Sequence, residues 1–275
     1  MTRAGEPQRQ VRVAHIMGTA ISIHILTRRT PTDIGVDAVA RCFADLRDID
    51  MVFSTYRDDS DISRLRRGER TLAELDPRLD EVARACEEWE RATRGRFSAH
   101  WQGWFDPTGY VKGWAVEEAA RRHLAPLVDQ PGVVAAGINA GGDLQLFTAD
   151  AADWQWRIGI ADPTRTGALI ATLHVANGAV ATSGTAERGH HILDPRSGEA
   201  ARGVVSATVV ANGLAAADVW ATAAVVAGPS DLSWISDAAT RTGVVVGADG
   251  AVHRWLGGTE VTTHPASEDA VAALR

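Results

Sequence analysis

Apolar and polar residues alternate along the segment AISIHIL (20–26), which places Ile21, Ile23 and Ile25 on one face. A period of two is typical of a half-buried β-strand. Seven later apolar runs also predict strands: VVAAGIN (133–139), DLQLF (143–147), WQWRIGI (154–160), ALIATLHV (168–175), AVATS (179–183), VVSATVV (204–210) and GVVVG (243–247). Their connections are short and contain Gly or Asp, which favours antiparallel pairing.

Helical spacing of apolar residues predicts three amphipathic helices. Their apolar positions are Val36, Val39, Phe43, Leu46, Ile49 and Phe53 in the first, Leu79, Val82, Cys86 and Trp89 in the second, and Val116, Ala119, Ala120 and Leu124 in the third. The polar segment STYRDDSDISRLRRGE (54–69) predicts a loop that ends in a short helical turn. With no repeat or linker composition in between, the pattern predicts an α+β fold in a single domain over residues 1–275.

Composition narrows the classes of function. The formal net charge of −7 argues against a general binder of nucleic acid or anionic membranes, because those surfaces select basic patches. Cys42 and Cys86 fall within helical patterns and are expected to be buried thiols in a reducing compartment. The first residues contain no apolar core of a signal peptide, and no stretch has the length of a membrane span. We therefore expect a cytoplasmic protein that does not contact a membrane.

The apolar segment LAAADVWATAAVVAG (214–228) contains a carboxylate, Asp218, and a hydroxyl, Thr222. At positions i and i+4 of a helix, the two oxygens lie on one face. Two hard oxygen ligands in an apolar setting suit Mg2+ or Ca2+. The alternative places Asp218 in the first turn of the helix, where a carboxylate caps free amides.

Lys112 is the only lysine among the 28 basic residues, all others being arginine. Codon bias explains the general depletion of lysine but not this one position. A compact ammonium is not interchangeable with a guanidinium, so a specific role for Lys112 and a chance survival are both open.

Two further motifs carry polar groups next to strands. GINAGGDLQLF (137–147) combines a Gly pair with Asp143, which suits either close approach of backbone amides to a phosphate or flavin, or a tight hairpin with Asp143 in the turn. It lacks the glycine spacing of a dinucleotide-binding fingerprint. ATSGTAERGHHILDPRSGEA (181–200) places His191 beside a loop, where it could donate to a phosphate or exchange a proton, or simply be exposed.

Six segments of the chain, in order, resemble the ApbE family of FAD:protein FMN transferases, and together they span nearly the whole chain. They are HIMGTAISIHI, FSTYRDDSDISRL, FDPTGYVKGWAVEEA, INAGGDLQLF, VATSGTAERGHHILDPRSG and ADVWATAAVVAG. The resemblance implies an ApbE-like α+β flavin-transferase fold. It also implies Mg2+-dependent cleavage of FAD, with FMN moving to a Thr or Ser hydroxyl of an acceptor flavoprotein and AMP leaving.

The resemblance also implies roles for individual residues. The implied metal contacts are Asp218, Thr222 and the carbonyl oxygen of Gly109, and the implied catalytic groups are His191, Lys112 and Asp218. The implied contacts to FAD are Met17, Tyr56, Arg96, Phe97, Ser98, Asp106, Lys112, Asp143, His191 and Ile192.

This chain departs from the family pattern in one region. GRFSAHWQGWFDPTGYVKG (95–113) is shorter than the corresponding segment of many members, and Ser98 stands where they have an acid. Two alternative functions stay open: an FAD pyrophosphatase, in which water replaces the acceptor hydroxyl at the same metal site, and a flavin-binding carrier with degraded catalysis, which the shortened segment and Ser98 suggest.

Overall fold

The computed structural model describes residues 6–28, 34–185, 192–257 and 259–261. The helices in these ranges are α1 Val36–Phe53, α2 Asp61–Arg66, α3 Arg78–Ala92, α4 Thr108–His123, α5 Leu214–Ala227 and α6 Trp234–Asp237. The strands are β1 Gln8–Ile16, β2 Thr19–Thr27, β3 Val133–Ala140, β4 Asp143–Thr148, β5 Trp156–Ala161, β6 Leu169–Val175, β7 Gly178–Gly184, β8 Val204–Ala211, β9 Thr242–Gly247, β10 Val252–Leu256 and β11 Thr259–Val261.

Nine strands of the described chain form one sheet in the order β1-β2-β3-β4-β7-β8-β9-β10-β11. Every pair of neighbours in it is antiparallel. Strands β5 and β6 leave this order and pair with each other as a separate antiparallel hairpin. The predicted α+β fold with a mainly antiparallel sheet is thus confirmed.

The sheet lies between two layers. On one face, alternate residues of β2, β3, β7, β8 and β9 pack against α1, α4 and α5 in the main apolar core. The other face is covered by the β5–β6 hairpin, where Trp156 and Val175 pack with Leu146 and Val180. Because the central strands are covered on both faces, β3 is buried along nearly its whole length, which is why its sequence is a continuous apolar run.

One end of the sheet brings several connections together. The β3–β4 hairpin turns through Gly141 and Gly142, whose φ angles are 64° and 103°. A two-residue hairpin turn with positive φ at both positions favours glycine. The amide of Gly141 donates to the carbonyl of Ala20, 3.2 Å away, so the Met17–Gly18 turn between β1 and β2 lies at the same end. Strand β7 also ends here, and we call this region the Gly-Gly end of the sheet.

The eight strands predicted from the sequence are confirmed, and so are the short helix after the 54–60 loop and the two free, buried cysteines. The third helix begins at Thr108, eight residues before the first apolar position used to predict it. Strands β1, β10 and β11 were not predicted. None of the helices in the described ranges combines the length and the apolar composition of a membrane-spanning segment.

Candidate functional site

The ammonium of Lys112 lies between two buried carboxylates at the Gly-Gly end of the sheet. Its Nζ is 3.1 Å from Oδ2 of Asp218 and also forms an ion pair with Asp143. The second carboxylate oxygen of Asp143 accepts a hydrogen bond from the Thr182 amide, at 3.1 Å. Two carboxylates share one ammonium, so these three side chains together carry a formal charge of −1.

Three elements place these side chains. Asp143 is the first residue of β4, directly after the glycine turn. Lys112 lies on α4 and Asp218 on α5, and the two helices pack closely because residue 113 is a glycine. A Cβ added to Gly113 would lie 3.1 Å from the Asp218 Cβ and 3.1 Å from the Leu214 carbonyl oxygen. Because Gly113 has no side chain, α4 and α5 approach closely enough for Lys112 to pair with Asp218.

The alternative reading of Asp218 as a first-turn cap is wrong. Helix α5 begins at Leu214 and has no acidic residue in its first turn. Its free amides are capped from outside: the Leu214 amide donates to the Gln145 side chain at 3.0 Å, and the Ala215 amide to Glu117 at 2.9 Å. Asp218 therefore plays no part in starting the helix, and its carboxylate is directed to Lys112 instead.

Thr222, one turn after Asp218, faces strand β7. Its hydroxyl lies 3.0 Å from the hydroxyl of Ser183. The sequence pattern predicts no site role for Ser183. The alternation of side chains along β7 predicts its position. Ala179 and Ala181 face the helices, and Ser183 shares their face because side chains two residues apart on a strand point the same way.

The oxygen atoms of this region suit a hard divalent cation. Asp218 offers a carboxylate, Thr222 a hydroxyl and Gly109 a backbone carbonyl one helical turn before Gly113, which contacts Asp218. Such oxygens, completed by water or substrate, are the ligands Mg2+ takes in proteins. Among the described residues, no three His, Cys, Asp or Glu side chains form a metal-binding group. Hydroxyl, carbonyl and phosphate oxygens would therefore have to supply the remaining ligands.

Arg96, Phe97 and Ser98 hold the connection between α3 and α4. The buried guanidinium of Arg96 pairs with Asp231 and donates to the Thr93 carbonyl at 3.2 Å. Hydrogen bonds from Ser233, and then Arg96, lower the pKa of the Asp231 carboxyl to about 2.

The other two residues of this segment pack locally. The Phe97 ring is buried against Gly109. The hydroxyl of Ser98 donates to the Glu90 carboxylate at 3.0 Å and accepts from the His100 amide at 3.1 Å. Contact of these residues with a flavin stays a prediction.

The remaining predicted site residues differ in their burial. Asp106 accepts a hydrogen bond from the Thr108 amide at 3.1 Å, at the start of α4. Met17, with φ of 53°, forms the β1–β2 turn and packs partly against the core. Tyr56 is 97% exposed on the loop before α2, and Ile192 is buried. His191 lies outside the described residues.

Solved structures share this architecture. The chain superposes on the ApbE protein of Thermotoga maritima with a TM-score of 0.76 over 90% of this chain and 97% of that one, at 22% sequence identity. The antiparallel sheet with α4 and α5 packed on one face is thus an ApbE-type fold.

Sequence comparison gives the family directly. The profile of the ApbE family matches residues 17–105 and 102–245, well over half of the 275 residues. The chain belongs to the ApbE family, as its motifs predicted.

Two curated relatives are both named FAD:protein FMN transferase. The FAD:protein FMN transferase of Rhodobacter capsulatus is 36% identical over 134 residues, which cover 46% of this chain and 24% of that protein. The FAD:protein FMN transferase of Escherichia coli strain K12 is 31% identical over 134 residues, covering 45% of this chain and 38% of that protein. The aligned region is therefore less than half the length of either relative.

Proposed function

We propose that this protein transfers FMN from FAD to a Thr or Ser hydroxyl of an acceptor flavoprotein and releases AMP. The observation that carries the proposal is the match of the ApbE family over residues 17–105 and 102–245. The relatives named FAD:protein FMN transferase support the same activity. The cluster of Lys112, Asp143 and Asp218 falls inside the matched region and provides charged groups suited to phosphoryl transfer.

The bond changes balance without a redox step. The acceptor hydroxyl oxygen forms a bond to the phosphorus of the FMN half of FAD, and the bond from that phosphorus to the bridging oxygen breaks. AMP leaves with the bridging oxygen, and the hydroxyl proton passes to a base. We assign His191 as this base or as a hydrogen-bond donor to the pyrophosphate.

Asp218, Thr222 and the Gly109 carbonyl would hold Mg2+, which when bound supplies neutralisation of charge on the pyrophosphate oxygens. The side chain of Lys112 is 34% exposed, so its ammonium can reach a phosphate at the surface of the site. The carboxylate of Asp143 holds the Lys112 ammonium in place through their ion pair. Catalysis of this kind depends on placing charge where it develops in the transition state.

The flavin contacts complete the proposal. We assign the ring to the region of Met17, Tyr56 and the Arg96–Ser98 segment, with Asp106 and Ile192 near the nucleotide. The exposed Tyr56 ring is free on the surface to cover a flat ligand. The single-domain organisation over residues 1–275 and the cytoplasmic location of the reaction remain predictions.

One experiment separates transfer from its alternatives. The protein is incubated with FAD, Mg2+ and a co-encoded candidate acceptor, and the intact mass of the acceptor is measured with AMP release followed in parallel. Transfer predicts an acceptor that gains FMN less one water, with one AMP for each adduct. Free FMN and AMP without an adduct would indicate a pyrophosphatase, and binding of FAD without AMP would indicate a carrier.

A further inference from the structure

The partner of Asp218 in the structure is a cation that the chain itself supplies. Asp218 is buried, and its Oδ2 lies 3.1 Å from the Lys112 ammonium. A carboxylate removed from water requires a compensating charge. The Lys112 ammonium therefore supplies one compensating charge for Asp218.

Lys112 has a second carboxylate with which it can pair. Asp143 is also buried and ion-paired with Lys112, and it is fixed by the amide of Thr182. Since Lys112 extends from α4 on a flexible stem, its ammonium can stay with Asp143 while it leaves Asp218.

We propose that Lys112 is a tethered competitor of the divalent cation at Asp218, and that Asp143 is the site to which its ammonium withdraws when the metal binds. The inference rests on the proposed metal role of Asp218 and concerns how that site is loaded. Asp143 is then a positioning residue that acts through Lys112 and not a metal ligand. The ammonium also keeps the two buried carboxylates compensated when no metal is present.

The same geometry couples metal to substrate. A phosphate group that attracts the Lys112 ammonium removes it from Asp218, which frees that carboxylate for the cation. By linkage, the cation then favours binding of the phosphate to the same extent. Metal and pyrophosphate are therefore expected to load together.

The test is the affinity for Mn2+, a spectroscopic substitute for Mg2+, measured by electron paramagnetic resonance and calorimetry on the full chain without FAD. The variants are Lys112→Met, Lys112→Arg, Asp218→Asn and the double variant Lys112→Met with Asp143→Asn. The double variant removes one charge of each sign and so keeps the formal charge of −1. It separates competition by the ammonium from a change in net charge. Melting temperatures establish that each variant is folded.

Competition predicts that Lys112→Met and the charge-matched double variant both bind Mn2+ about fivefold or more tightly than the unmodified protein. Lys112→Arg keeps a tethered cation, so its affinity should not rise. Asp218→Asn should lose binding. Between Lys112→Met and the double variant, the further removal of the Asp143 charge should cost little Mn2+ affinity, because Asp143 acts only through Lys112.

One result would contradict the competition by Lys112, and another would contradict the metal role of Asp218. If Asp218→Asn loses Mn2+ binding but the double variant binds no more tightly than the unmodified protein, Lys112 is not a competitor, while the proposed metal site stands. If Asp218→Asn binds Mn2+ as the unmodified protein does, the metal role of Asp218 fails, and this inference fails with it.

Discussion

Gly113 on α4 and Asp218 on α5 are in such close contact that a Cβ built at residue 113 would lie 3.1 Å from the Cβ of Asp218. The same added atom would lie 3.1 Å from the Leu214 carbonyl oxygen, and a backbone atom cannot rotate out of the way. The packing of two helices thus sets the distance between Lys112, next to Gly113 in the chain, and the carboxylate it pairs with.

Gly113→Ala should therefore impair the site more than the fold. Alanine in a helix gains about 1 kcal/mol over glycine, which offsets part of the strain. A shift of about 1 Å in the spacing of the two helices can cost about a hundredfold in rate. Urea unfolding of Gly113→Ala measures its effect on the fold separately. Full FAD cleavage by Gly113→Ala would show that the contact is not needed.

Replacing Lys112 should move two measured quantities in opposite directions. Lys112→Met removes the cation proposed for the phosphates, so kcat/KM for FAD should fall by about a hundredfold, while affinity for Mn2+ rises. Lys112→Arg should also lose turnover, since a guanidinium is larger and hydrated differently. Steady-state AMP release measures the first quantity. A normal rate in Lys112→Met would remove Lys112 from the reaction.

The start of α5 depends on side chains from other elements. Because the Glu117 carboxylate accepts from the Ala215 amide, Glu117→Ala should lower the free energy of unfolding by about 1–2 kcal/mol, as loss of a helix cap does. Urea unfolding measures this. Glu118→Ala, the exposed neighbour on the same helix, is the control and should change stability little. Equal effects of the two substitutions would contradict the capping role.

His24 predicts a specific dependence of stability on pH. Burial, and then the charge of Arg9, lower the pKa of His24 from 6.5 to about 4. The geometry agrees, because Arg9 Nε donates to His24 Nδ1 at 3.0 Å, and that nitrogen must then carry no proton. Between pH 6.5 and about 4, the unfolded chain binds a proton that the folded chain does not. Stability should therefore fall as the pH is lowered through this range.

The variant His24→Gln should lose this part of the pH dependence. Urea unfolding of both proteins across that range makes the comparison, with the exposed His174→Gln as the control. A decline in stability of the same size in His24→Gln as in the unmodified protein would contradict the assignment.

The sequence predicted the strands of the central sheet because their apolar residues recur with a clear period. It did not predict β1, whose residues are mostly exposed on both faces, and whose alternating Val11 and Val13 do not form a buried apolar face. The start of α4 was placed too late because Gly109 and Gly113 weaken the helical pattern. Gly113 is there for close packing against α5, which is a tertiary reason that local propensity does not contain.

In the candidate site, too, the local sequence pattern predicted some features, and only the fold reveals the others. Asp218 and Thr222 were found from their spacing on one helix, since i and i+4 share a face. The ion pair between Lys112 and Asp218 joins two helices far apart in the sequence, and only the fold brings them together. The spacing predicts that Asp218 meets a cation; the structure places the Lys112 ammonium 3.1 Å from it, and the metal role of Asp218 stays a prediction.

Asp218→Asn tests whether the site acts through a metal. Lys112 keeps Asp143 as its partner in this variant, so the melting temperature should change little. Loss of a metal ligand in phosphoryl transfer is expected to cost about 3–5 kcal/mol of transition-state stabilisation, which is several powers of ten in rate. Mg2+-dependent AMP release measures the loss. A rate near that of the unmodified protein would contradict a catalytic role for Asp218.

The most direct test of the central claim is the intact mass of a co-encoded candidate acceptor after incubation with the protein, FAD and Mg2+. The account predicts that the unmodified protein adds FMN, less one water, to a single Thr or Ser and releases one AMP for each adduct, whereas Asp218→Asn leaves the acceptor unmodified. FAD cleaved to free FMN and AMP, with the acceptor mass unchanged, would contradict FMN transfer.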